Sequence, residues 1–340
     1  MTPGRPPSAR ARIARASGAE RSGAGPFPAA PRRTSTGRAR RENRSGWLLV
    51  SPSLAVVGLV VLLPFALVVV FGFSEIRLVD IPYLGTEPIE WSLENFRRAA
   101  ASQAFWGALW TTVLYAGLTA AGSLAVGLVL ALALRRPFAG RGLVRALLLV
   151  PYVLPVVAAA TIWKTMLNPQ YGVVNAFGRA YLGWDTPVGF LSTTTADVWG
   201  IPVPVALLVV VLFDIWKSAP LAFLFLTARL QSVPGEIEEA AALDGANRRQ
   251  NLRFILLPQL RAVALLLLLL RFIWSFQSFD DVYLLTEGAG STQVMAIQVY
   301  TELVTKADIG SAAAFGLLMS LILGVLLVGY VALSRRTDES

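Results

Sequence analysis

The chain contains no cysteine and no histidine. Disulfides, thiolate nucleophiles, Cys or His zinc sites and imidazole acid–base chemistry are therefore excluded within it. Lysine is almost as scarce. Only Lys164, Lys217 and Lys306 occur, preceded by Trp163, Trp216 and Thr305, so no G-x-x-x-x-G-K phosphate loop can form. The polypeptide does not use ATP by that route, and no catalytic residue, metal site or cofactor is expected in it. Charge is sparse as well: 15% of the 340 residues are charged and 55% are hydrophobic. That balance lies outside the range of a soluble globular domain and indicates a membrane protein.

The net charge of +9 is unevenly placed. Residues 1–46 hold eleven Arg and two Glu, leaving nineteen basic and nineteen acidic residues in the rest of the chain. This argues against a nucleic-acid-binding body and for a basic arm near anionic lipid. With six Pro and many Ser and Gly, residues 1–46 are expected to form a disordered basic cytoplasmic tail. The Arg-rich, acid-poor tail also has the composition of a transit peptide, but proline at that density would spoil the amphipathic helix such a peptide needs.

A helix crossing the hydrocarbon core needs about 20 mostly apolar residues. Six segments qualify: Trp47–Phe73, Phe105–Leu134, Leu143–Leu167, Val198–Ala228, Ala262–Leu285 and Ile309–Leu333. The first is longer than the roughly 7–15 apolar residues of a cleavable signal peptide. Segments alternating with period 2, as a membrane barrel requires, are absent, so the expected class is an all-α integral membrane protein. Its six transmembrane helices would occupy residues 47–336. The tail, the second loop (Arg135, Arg136, Arg141, Arg145), the fourth loop (Arg229, Arg248, Arg249, Arg253, Arg261) and the C-terminus (Arg335, Arg336) together carry 22 basic residues. The other three loops carry five: Arg77, Arg97, Arg98, Arg179 and Lys306. Cytoplasmic loops are enriched in Lys and Arg, so both termini and the fourth loop are expected to be cytoplasmic.

Within that loop, Pro234 suits a first helical position, and Glu236, Glu238 and Glu239 lie where the helix dipole favours negative charge. A short helix is expected from Pro234 to Leu243, with Ile237, Ala240 and Ala241 on one face. Asp244-Gly245 should close it, because glycine adopts the left-handed conformation without steric cost. Asn247 followed by Gln250 reads as a capping box opening a second, Arg-rich helix, and Pro258 should break or redirect the chain into the fifth span. By pattern alone this loop could also lie on lipid headgroups, although its acidic first helix would be repelled by anionic lipid.

These residues resemble a known family. E-A-A, three residues, Gly, nine residues, I-x-L-P is the signature of permease subunits of binding-protein-dependent ABC importers. Here it reads Glu239, Ala240, Ala241, Gly245, Ile255, Leu257 and Pro258. The resemblance implies that residues 232–260 are a coupling loop whose helix, between the fourth and fifth spans, docks on a separate ATPase subunit. "WSLENFRRAAASQAFWGALWTTV" from Trp91, "DIWKSAPLAFLFLTARLQSVPGEIEEAA" from Asp214 and "FDDVYLLTEG" from Phe279 are similar to segments of the carbohydrate branch, in the first maltose-type permease class. The turn "TEGAGST" lacks the proline of that branch's T-G-G-P turn. Six spans match the shorter members of the class. The resemblance implies a sugar or sugar-like solute, a second permease subunit forming a heterodimer, two ATPase subunits, an extracytoplasmic solute-binding protein and a prokaryotic cell membrane. A polyamine or phosphate-ester permease, or an ion-coupled secondary transporter, remains open at this point.

An ionisable group at membrane depth costs several kcal/mol unless it is paired or faces water. Asp214 and Lys217, three apart, can meet on one helix face, either as a self-neutralising pair or as part of a pathway. Arg271, Ser275, Ser278 and Asp281 recur at three- and four-residue steps, a stripe that favours a translocation pathway. Phe272, Trp274, Phe276, Phe279 and Tyr283 surround it, either as packing or as faces for a sugar ring. Prolines 151, 155, 202, 204 and 220 are expected to kink the third and fourth spans.

Overall fold

A computed structural model of the chain describes residues 50–83, 90–198 and 201–338; the basic tail 1–46 lies outside them. The chain divides into two units, Met1–Leu63 and Pro64–Ser340. The helix α1, Val50–Gly72, supplies the described part of the first unit, Val50–Leu63. This part is apolar from Leu54 onward and carries no buried residue.

In the second unit the order is α2 (Glu94–Ala101), α3 (Gln103–Ala133), α4 (Arg141–Val153), α5 (Val156–Met166), α6 (Val173–Tyr181), a hairpin of β1 (Ala196–Val198) and β2 (Ile201–Val203), and α7 (Val205–Gln231). There follow α8 (Gly235–Leu243), α9 (Arg248–Phe276), α10 (Asp280–Thr286), α11 (Met295–Tyr300) and α12 (Ile309–Asp338). The helices α1, α3, α7, α9 and α12 are each long and apolar enough to cross a membrane, and α4 with α5 makes a sixth span if the pair is counted as one. The described residues are thus predominantly helical, with five or six candidate spans and one antiparallel pair of short strands.

Three of the expected segments differ in detail. The third is broken: α4 and α5 meet at 98°. Leu154 is extended (ψ 136°) because the following Pro155 disfavours helical backbone before it. Pro151, one turn earlier, lies inside α4 without ending it. The fourth begins at Val205, since Pro202 sits in β2 and Pro204 caps the helix, while Pro220, itself buried, is accommodated in an uninterrupted α7. The fifth starts and ends early. Pro258 does not break it, because a π-helical turn at Leu252–Leu256, with the Leu257 N–H bonded to the Leu252 carbonyl, widens the helix just before the proline. At the other end α9 stops at Phe276, and after Gln277, Ser278 and Phe279 the chain starts α10 afresh with Asp280 and Asp281 in its first turn.

The centre of the second unit is the contact of α3 with α7, flanked by α9. Small residues allow the close approach, since association in lipid relies on packing rather than on expelling water. Gly127 is such a point: a Cβ there would stand 2.6 Å from the Ala222 Cβ and 2.8 Å from the Phe223 backbone nitrogen. Around one end of α7, Leu226, Leu230 and Val233 pack with Leu256, Leu260 and Leu267 of the α9 segment. Around the other, Phe213 and Val210 pack with Ala159 and Ala160 of α5 and with Val282 and Leu285 of α10. The pieces that follow the two breaks, α5 and α10, therefore pack on each other. Asn95 of α2, fully buried, donates to the carbonyls of Ser74 (2.8 Å) and Gly72 (3.3 Å) and ties α2 to the end of α1.

Replacing Gly127 by Leu forces α3 away from the α7 backbone. We expect destabilisation at the upper end of the roughly 1–3 kcal/mol typical of overpacking. Gly117→Leu, where a Cβ meets nothing within 4 Å, should have little effect. Thermal unfolding of the two variants in detergent distinguishes them, and equal melting temperatures would show that the α3–α7 approach is not tight.

Candidate functional site

The connecting segment between α7 and α9 forms as local chemistry predicts. Helix α8 runs from Gly235 to Leu243 with Pro234 as its N-cap, one residue outside the helix rather than at its first position. Asp244 is the C-cap, and Gly245 follows in the left-handed conformation (φ +83°), its N–H bonded to Ala242 O and that of Ala246 to Ala241 O. Asn247 Oδ1 then accepts from the N–H groups of Arg249 (3.0 Å) and Gln250 (2.9 Å), while Gln250 Oε1 accepts from the Asn247 N–H (2.8 Å), completing the capping box. Glu239, Ala240 and Gly245 are exposed, Ala241 is half-buried, and Leu243 is 90% exposed. Gly245 and Ile255 line a surface cavity of about 280 Å³ with Asp244, Ala246, Gln250 and Phe254. Leu257 and Pro258 are exposed at the start of the regular part of α9.

The inner side of α8 is held by a group the sequence reading did not single out. Glu238 receives both arms of Arg135, which stands just beyond the end of α3; one bond measures 2.7 Å (Nη1 to Oε2) and the other joins Nη2 to Oε1. Asn251 Nδ2 adds a bond of 3.1 Å. Hydrogen bonding from Arg135 holds the Glu238 carboxyl below the usual carboxylate range. The contribution of the pair is therefore fully present above the ordinary glutamate range and is lost only as pH falls through the depressed value. Arg229, at the end of α7, donates from Nε to Gln259 O (3.1 Å) and from Nη1 to Ser232 Oγ (2.9 Å).

Asp214, Lys217, Arg271 and Asp281 form one cluster, with pairings other than those expected. Asp214 does not pair with Lys217. Its Oδ1 accepts from Arg271 Nη2 (2.7 Å) and its Oδ2 from Ser275 Oγ (3.1 Å) and Tyr115 OH (3.0 Å). Lys217 pairs instead with Asp281 of α10, which also accepts from Ser278 Oγ at 3.4 Å. The expected stripe is thus divided by the end of α9: Arg271 and Ser275 serve Asp214, whereas Ser278 and Asp281 belong to the next piece of chain. One guanidinium nitrogen and two hydroxyls fill the carboxylate's shell, each donating one hydrogen bond. Two cations and two carboxylates leave the cluster neutral. Asp214, Ser275 and Tyr115 are all but inaccessible, while the side chain of Lys217 retains 22% exposure and approaches the Phe213 ring at 5.7 Å. Tyr115 could have been suspected from sequence, because a phenol in an otherwise apolar span needs a partner.

Beside the break after Phe276, Phe279 stacks on Tyr283 at 4.8 Å, and both rings lie 5.2 Å from Tyr300 of α11. Gln277, Phe279, Tyr300, Met319 and Ser320 line an open cavity of about 620 Å³. Of the other expected aromatics, Phe276 is buried and packs near Phe272, and Trp274 is half exposed on the outer surface of α9.

Residues 123–339 match a family model described as "Binding-protein-dependent transport system inner membrane component". The chain is 32% identical over 292 residues to the inner membrane ABC transporter permease protein YcjO of Escherichia coli (strain K12), covering 85% of this chain and 92% of that protein. It is 30% identical over 298 residues to the trehalose/maltose transport system permease protein MalF of Thermococcus litoralis, covering 87% and 95%. Its fold is similar to that of one chain of a bacterial alginate ABC transporter, solved in complex with an alginate pentasaccharide-bound periplasmic protein. The TM-score is 0.73 at 21% identity, covering 90% of this chain and 99% of that one.

Arg271→Ala strips Asp214 of its counter-charge in a buried site, and we expect a loss of about 3–5 kcal/mol. Tyr115→Phe removes one of several bonds to the same carboxylate and should cost only about 1 kcal/mol. Melting temperatures in detergent test the order, and a tolerated Arg271→Ala would show that Asp214 does not depend on it.

Proposed function

This chain belongs to the binding-protein-dependent transport system inner membrane component family, and on that premise we propose that it is the membrane-spanning subunit of an ATP-driven importer for a sugar or sugar-like solute. The observation that carries this reading is the segment from Gly235 to Pro258. An exposed helix closed by a left-handed glycine, followed by a capped second helix, offers a formed surface to another protein. With no phosphate loop in the chain, the partner at that surface is a separate ATPase, met by Glu239, Ala240, Ala241, Gly245, Ile255, Leu257 and Pro258. Arg135, Arg136, Arg248, Arg249 and Arg253 lie on or near the same segment, which supports its assignment, and that of both termini, to the cytoplasmic side.

The sugar assignment is supported by the trehalose/maltose and alginate systems among the similar proteins. The remaining partners follow from the same reading: a second permease, two ATPase copies and an extracytoplasmic solute-binding protein. A first span without a buried residue in its most apolar stretch is consistent with a second permease beside it. For the pathway, Asp214, Arg271 and Ser275 act as the sealed support of its wall, and Lys217, Ser278 and Asp281 act beside it, with Lys217 the most accessible of the charged groups and Ser278 lying in sequence between the cavity-lining Gln277 and Phe279. A ring face combined with amide and hydroxyl groups suits a polyhydroxylated solute.

The test is affinity purification of a tagged copy from native membranes in mild detergent, with co-purifying chains identified by mass spectrometry. The control is Gly245→Asp. A Cβ at Gly245 meets nothing within 4 Å, and aspartate is among the residues that tolerate left-handed backbone. The variant therefore adds a charge and local backbone strain at the docking turn while leaving membrane insertion intact. A phosphate-loop ATPase and a second permease should accompany the wild type, and the ATPase should be lost from Gly245→Asp. A chain that emerges alone, or a variant that keeps the ATPase and full transport, would overturn the reading.

A further inference from the structure

Helix α8 has no buried residue of its own. Before it, Val233 is buried among Leu226, Leu230 and Leu256, which fixes the point where the helix begins. Along the helix, Glu238 is the one side chain with a hydrogen bond among the described residues, and its partners are Arg135, 103 positions earlier, and Asn251. Without those bonds α8 would be free to pivot about Val233.

Arg135 is well placed to prevent this. It directly follows Leu134, the C-cap of α3, and α3 packs along α7 through Gly122 and Gly127, so a load on Arg135 falls on the most closely packed pair of spans. The contact is bidentate, which fixes orientation as well as distance. The side chains are 30% and 20% exposed, shielded enough for the pair to survive physiological salt.

We infer that Arg135, Glu238 and Asn251 form a clamp that seats the docking helix on α3, so that displacement of α8 by a partner moves α3 and α7 instead of merely tilting α8. Arg135 and Glu238 are positioning residues; neither is among the seven docking positions. The transport consequence rests on the function proposed above, whereas the seating itself does not.

Because the native chain has no cysteine, a spin-label pair can be introduced with Ala133→Cys on α3 and Ala242→Cys on α8, both exposed, and their separation measured by double electron–electron resonance on the full chain in detergent. A single narrow distance peak is expected. It should be lost in Arg135→Ala and in Glu238→Ala, and regained in the charge-exchanged chain carrying R135E and E238R. An unchanged peak in the single variants, or a double exchange as broad as either, overturns the clamp.

In the complete complex reconstituted in liposomes, the same single substitutions should leave the ATPase bound while solute carried per ATP hydrolysed falls by at least about five-fold, the lower end of coupling between two sites. The charge exchange should restore the ratio. A wild-type ratio in the single variants overturns the transmission role. If no ATPase accompanies the wild type, it is the proposed function that fails, and the spin-label distances still decide the clamp.

Discussion

A carboxylate inside a bundle of apolar helices has no water to turn to, so Asp214 must be satisfied by the protein itself. Its two oxygens take up Arg271, Ser275 and Tyr115, which come from α9 and α3, while the carboxylate belongs to α7. α7 and α9 are thereby fixed in rotation about their own axes, because turning either would bury an unpaired charge, and the Tyr115 hydroxyl adds α3 to the same registration. The close approach of α3 and α7 at Gly127 and the buried neighbours of Phe223 and Leu226 follow from that registration. The polar cluster thus specifies which arrangement of apolar faces is adopted, a choice that hydrophobic packing in lipid makes only weakly.

Around this fixed centre the chain is jointed. The third span is broken at Leu154-Pro155 and the fifth ends at Phe276, and the short helices beyond the two breaks, α5 and α10, rest on each other. Lys217 and Asp281 connect α10 to α7. A rigid set of long helices with a paired set of short ones attached by breaks is an arrangement that can move one part against the other without exposing the central charges. The segment around α8 sits at the opposite end of α7 and is joined to the rigid set, through Arg135 and Arg229, rather than to the jointed one. Force applied there reaches the long helices first.

The turn and capping signals are legible in the sequence because the interactions that compete with them are also local, although Pro234 falls at the N-cap rather than inside the helix. The turn at Gly245 and the capping box of Asn247 and Gln250 involve residues within five positions of each other, and they form as their chemistry requires. The prolines were harder. Pro155 breaks its span, Pro220 does not, and Pro258 is absorbed by a π-turn, because the outcome depends on whether neighbouring helices hold the flanking backbone in place. A spacing of three lets Asp214 and Lys217 share a helix face, but Asp214 pairs with Arg271, 57 residues away, and Lys217 with Asp281.

By itself, the sequence determined residence in a membrane, a helical class, the approximate positions of the spans and the form of the segment between α7 and α9. Hydropathy over about 20 residues and capping over four are properties of adjacent positions, readable without knowledge of the fold. The tertiary structure alone decided the partner of each charge, the division of the polar stripe at Phe276, the aromatic group completed by Tyr300, and the joining of Glu238 to Arg135. Each of these depends on which helix faces meet, and that meeting is set by packing across distances along the chain that no local pattern encodes.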